Sequence, residues 1–102
     1  MSELGIRSAH SLAAMIRRKE ISSSELLDYF LGAVEEKNAA LNAVVTIDEE
    51  RARKDAVAAD EAIARGDAVG PLHGLPITIK DSFETAGLLT TAGSPEFKDH
   101  VP

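Results

Sequence analysis

Gly70-Pro71-Leu72-His73-Gly74-Leu75-Pro76-Ile77-Thr78-Ile79-Lys80-Asp81 is the stretch on which the fold class turns. Its first five residues are turn chemistry. From Leu75 the pattern alternates, with Leu75, Ile77 and Ile79 on one face and Pro76, Thr78 and Lys80 on the other, the period of a strand. Pro76 has no N–H for a ladder, so it belongs at the strand's first position or facing away from a partner. Around this run the punctuation of the chain changes. Residues 1–65 hold two glycines and no proline, whereas residues 66–102 hold five glycines and all four prolines. The first part reads as helix and the second as strand, turn and loop. The expected class is α/β, one unit with a helical part (1–66) and a strand and loop part (67–102).

Three helices follow from period and caps. Ala9, Leu12, Ala13 and Ile16 recur at i, i+3, i+4, i+7 behind Ser8, an N-cap residue type. Ser22 followed by Glu25 is a capping-box pair, each side chain answering the other's backbone N–H. It opens a second helix with the stripe Leu27, Phe30, Leu31, Val34 and Leu41. Asp48-Glu49-Glu50 places acidic residues at the positive end of a third helix, whose face is Ala52, Ala56, Ala59 and Ile63 and whose stop is Gly66. Between the second and third helices, Ala43–Ile47 (A-V-V-T-I) is short, apolar and β-branched, and is expected to be a buried strand.

Composition removes several classes. Leu, Ile, Val and Phe supply about a quarter of the 102 residues, enough for a core. A net charge of −6 argues against nucleic acid or an anionic membrane as partner. The absence of cysteine removes disulfides, thiolate metal sites and a cysteine nucleophile. No apolar run reaches membrane-spanning length and the N-terminus lacks a signal-peptide core, so a soluble, cytoplasmic chain is expected. His10, His73 and His100 are too far apart for a local metal motif, and the acidic residues on the helices read as solvated faces.

Lys80 is the one residue that asks for a chemical reading. No other Lys or Arg lies between Gly66 and Phe97, and Lys80 sits where an apolar strand gives way to a polar loop. In α/β sheets ligand crevices form at the carboxyl ends of strands. There a desolvated lysine serves as a base, because burial favours the neutral amine. The alternative is a charge on the solvent face of an edge strand, which discourages aggregation.

The run 70–81, followed by E-T-A-G-L-L-T-T-A-G-S at 84–94, resembles the N-terminal catalytic segment of the amidase signature family. The upstream pattern of two helices, an A-V-V-T strand and an Ala-rich helix with A-x-x-A-D is similar to that family's N-terminal region. The resemblance implies the N-terminal portion of the amidase signature fold, helices packed on a mixed sheet of which only part is present. It implies an amide (C–N) hydrolase with a Ser–cis-Ser–Lys triad and no metal or cofactor. Lys80 matches the catalytic lysine, the base that takes the nucleophilic serine's proton through the second serine. Asp81, Gly70, Gly74 and Pro76 match positions read as structural.

The family's Gly/Ser-rich stretch, which carries both serines and the oxyanion hole, has no counterpart among these residues and is expected beyond residue 102. Ser82 and Ser94 are therefore read as turn or substrate-side residues, and His73 as a turn histidine. The expected function is the lysine-bearing part of an amidase, inactive by itself. Two alternatives stand beside it: the glutamine-hydrolysing subunit of a tRNA-dependent amidotransferase, and a non-catalytic helical interaction module. The loop Ser82–Leu88 (S-F-E-T-A-G-L) lacks the Asn-containing run of the amidotransferase subunits, which favours the general amidase. The expected partners are a small-molecule amide and the remainder of the amidase chain. Open strand edges also make homo-oligomerisation an expected outlet.

Overall fold

The computed structural model describes residues 2–102. Its framework is three helices: α1 (Ala9–Arg17), α2 (Ser23–Leu41) and α3 (Glu49–Arg65). Short 3-10 turns occupy Ser2–Ile6 and Pro95–Phe97. Each helix begins where a side chain satisfies its orphan N–H groups. Ser8 Oγ accepts from Ser11 N on α1, the Ser22–Glu25 capping box closes in both directions on α2, and Asp48 accepts from Arg51 N on α3. Helix α3 ends on Gly66 at φ +76, a backbone state that glycine enters without a Cβ penalty.

The core is small and sits where the three helices meet. Leu12 and Ile16 of α1, Leu26 of α2, Leu4 and Ile21 form one buried cluster. Met15, Tyr29, Phe30, Ile63 and Leu75 pack around it. Leu26 is fully buried at its centre, although the expected stripe on α2 runs through Leu27 and omits it. Leu41, which that stripe includes, is 69% exposed. Helix α2 packs on α3, and Asp28 and Arg53 pair across them at 2.5 Å on the exposed side.

The two expected strands do not form among the described residues, and no sheet is present there. In Ala43–Ile47 the backbone of Val44 is taken by a side chain. Asn38 Nδ2 donates to Val44 O at 2.7 Å, and Val44 N donates to Asn38 Oδ1 at 2.8 Å. An amide side chain thus supplies the pair of bonds that a neighbouring strand would give, while Val45 and Ile47 stay exposed. In Leu75–Ile79, Leu75 N turns back to Leu72 O and Pro76 has no N–H. The backbones of Ile77, Thr78 and Ile79 have no hydrogen-bond partner among the described residues. Strand propensity records a fit to a pleated, half-buried surface, and nothing within the described residues offers one. The radius of gyration, 15.0 Å, exceeds the roughly 13 Å of a compact domain of about 100 residues, in keeping with apolar segments that have no surface to close on.

Candidate functional site

The 70–81 run is held to the helices at its turn. His73 Nε2 lies 2.9 Å from Ala59 O of α3, and a carbonyl only accepts, so Nε2 carries the proton. Ser23 Oγ, on the first residue of α2, donates to Gly74 O at 2.7 Å. Arg17 Nη1 reaches Pro71 O at 3.3 Å. Gly74 has φ +81, and a Cβ there would stand 3.3 Å from Ile16 Cδ1 and from Ser23 Cβ. The residue must therefore be glycine for two reasons, backbone state and close approach. Leu75 then packs on the core cluster.

Beyond Pro76 the chain leaves this support. Ile77 is 75% exposed and Ile79 51%, so the expected apolar face lies open. Lys80 is exposed, and its ammonium makes no hydrogen bond or ion pair with any described residue. Its neighbour Asp81 is committed instead. Thr91 donates to it twice, from N to Oδ1 at 3.0 Å and from Oγ1 to Oδ2 at 2.6 Å. Ala92 N bonds to its backbone O at 3.1 Å. The two Thr91 bonds to the carboxylate, the hydroxyl's first, favour its ionised form and hold it below the usual aspartate range. Asp81 closes the 82–90 loop, as the structural reading of that residue expects.

The other sequence candidates are dispersed. Ser94 Oγ accepts from Glu96 N and opens the Pro95–Phe97 turn, so it serves as a cap. Ser82 is exposed with no partner among the described residues. His73 is committed to Ala59 O as a turn histidine. His100 pairs with Glu84 at 2.8 Å. No group of three or more His, Cys, Asp or Glu among the described residues is placed to hold a metal ion. Two shallow clefts, about 340 and 370 Å³, lie along α1 and between α2 and α3, and Lys80 lines neither.

Sequence reasoning missed Asp60. Read as part of a solvated face, it instead projects from α3 onto the first turn of α2. Oδ1 accepts from Ser23 N at 2.6 Å. Oδ2 accepts from Ser24 N at 3.1 Å and from Ser24 Oγ at 2.7 Å. A carboxylate at the positive end of a helix, bonded to its free N–H groups, is well placed electrostatically. The triple serine Ser22–Ser24 was a signal of a polar helix start, but a partner 36 residues away is not visible in local pattern.

A family model described as Amidase matches residues 25–102. The chain is 40% identical over all its 102 residues to a glutamyl-tRNA(Gln) amidotransferase subunit from Neorickettsia sennetsu, covering 21% of that protein. It is 48% identical over 90 residues, 88% of its length, to the protein of the same name from Aromatoleum aromaticum, covering 18% of it. Among solved structures, a bacterial aryl acylamidase of the amidase signature family superposes with a TM-score of 0.87 at 32% identity. That alignment takes in 93% of this chain and 20% of the acylamidase. The chain spans about a fifth of the length of the relatives it matches.

Proposed function

The chain belongs to the amidase signature family, and from that premise we propose that it is the lysine-bearing segment of a serine-dependent amide hydrolase, with Lys80 as the base. One observation carries the reading. The run that ends in Lys80 is anchored at Gly74 on one side and Asp81 on the other, while the lysine's own amine is uncommitted. A lysine retained only for solubility needs neither anchor.

In the proposed reaction, a serine supplied by sequence outside residues 1–102 attacks the amide carbonyl. Its proton passes through a second serine to the neutral amine of Lys80. The tetrahedral intermediate collapses with cleavage of the C–N bond, and the proton leaves with the amine. Water then attacks the acyl-serine and gives a proton to the same base, which returns it to the departing serine oxygen as the C–O bond breaks and the acid is released. Ile77 and Ile79, open in this chain, suit a place in the larger sheet that such a protein would complete. There the lysine would be desolvated, which favours its neutral form.

The names of the relatives favour a narrower second reading, in which the amide hydrolysed is glutamine and the ammonia serves a tRNA-linked amidation. The complete reading frame containing residues 1–102 is expected to release amine from simple aryl amides, and the 102-residue chain alone to turn over none. Release of ammonia from glutamine with no aryl-amide turnover selects the second reading. Turnover by the mass-verified 102-residue chain contradicts both, since a base without nucleophile and oxyanion donors has nothing to activate or stabilise.

A further inference from the structure

Neither Ser23 nor Asp60 is given a role in the chemistry by the sequence reading, yet together they link the helical frame to the lysine-bearing run. Asp60 grips the first turn of α2 with three hydrogen bonds, one of them to Ser23 N. Ser23 is 3% exposed, and its hydroxyl passes that grip on to Gly74 O. The bond from His73 to Ala59 O, one residue before Asp60 on α3, holds the adjacent turn residue. Residues 73–76 are thereby a fixed block, with Leu75 on the core and Pro76 restricting its own φ and the conformation of Leu75. Lys80 follows four residues later, its carbonyl accepting from Phe83 N at 2.9 Å and its side chain without a partner among the described residues.

We propose that Ser23 and Asp60 are positioning residues for Lys80. Together they set where the Gly74 turn leaves the helices, and so where the chain delivers the lysine amine to its serine partner. The inference rests on Lys80 being the base. Its physical content is that proton transfer needs heavy atoms about 2.6–3.2 Å apart. A displacement of about 1 Å by a distant change is enough to cost on the order of 10²-fold. Ser23→Ala removes the hydroxyl that holds Gly74 and leaves the Ser23 N–Asp60 bond in place. Asp60→Asn keeps the volume but offers one acceptor oxygen to three donors.

The test uses the complete protein, with rates normalised to titrated active serines so that loss of folded enzyme does not count. Ser23→Ala and Asp60→Asn are expected to lower kcat about tenfold per active site with KM changed less than twofold. The acid limb of the pH–rate profile is expected to move, and Ser23→Thr, which keeps the hydroxyl, to recover most of the rate. A purely structural role would lower Tm and the active fraction but leave per-site kcat and the pH profile unchanged, and that result overturns the inference. Lys80→Ala is run beside them. If it abolishes turnover while Ser23→Ala and Asp60→Asn leave per-site kcat intact, only the positioning role fails. If Lys80→Ala leaves turnover intact, the base assignment fails and the positioning role with it.

Discussion

Lys80→Ala in the complete protein is expected to lower kcat by about 10³–10⁴-fold with the fold intact. The span corresponds to roughly 4–5.5 kcal/mol of barrier at about 1.36 kcal/mol per decade. The size follows from the role, because a positioned general base contributes about 10²–10⁴-fold and this lysine is the only Lys or Arg between Gly66 and Phe97. Lys80→Arg is the more informative change. Guanidinium preserves the positive charge but stays protonated, so it cannot accept the serine's proton. Arginine should therefore be nearly as damaging as alanine. Steady-state kinetics on any turned-over amide decide this, and near-wild-type activity in Lys80→Arg would make Lys80 a positioning charge instead of the base.

Leu26→Ala should be the most damaging substitution for the helical frame. Leu26 is fully buried where α1, α2 and the Leu75 side chain converge, and removing a buried leucine costs about 2–5 kcal/mol. Total stabilities of domains are only about 5–15 kcal/mol, so a loss of that size removes much of the cooperative unfolding transition. Leu41→Ala, on the same helix but 69% exposed, should change stability by less than about 0.5 kcal/mol. Urea unfolding followed by helical circular dichroism separates them. Equal, small effects would mean that the helices do not pack around Leu26 as described.

The pair also shows what the sequence could and could not convey. Helix positions were legible because their signals are local. Ser8, the Ser22–Glu25 box, Asp48 and Gly66 each mark an end through a bond made within four residues. The orientation of α2 was less legible, since Leu26 and Leu27 are neighbours about 100° apart on the helix, and only packing against α1 decides which lies at the centre. Both are buried. The strand readings failed for a different reason. Ala43–Ile47 and Leu75–Ile79 have strand composition, but a ladder needs a second chain segment, and Asn38 takes the Val44 groups that one would have used.

The site divides along the same line. The turn, the half-buried Leu75 and the structural part played by Asp81 all follow from residues within about ten positions of Lys80. The grip of Asp60 on Ser23 and Ser24 bridges 36 positions in sequence. An aspartate on a helix reads as solvated until the helix beneath it is placed. Charge patterning alone therefore hid the residue that ties α3 to the first turn of α2, where Ser23 in turn holds Gly74.

Whether Lys80 activates a serine lying outside residues 1–102 is tested most directly by covalent labelling. The complete protein is treated with a phosphonofluoridate probe, which forms a stable adduct with an activated serine, and the labelled peptide is mapped by mass spectrometry. The expected result is a single adduct on a serine outside residues 1–102, formed rapidly by the wild type and slowly or not at all by Lys80→Ala. An adduct on Ser82 or Ser94, or labelling whose rate is unchanged in Lys80→Ala, would contradict the role given to Lys80.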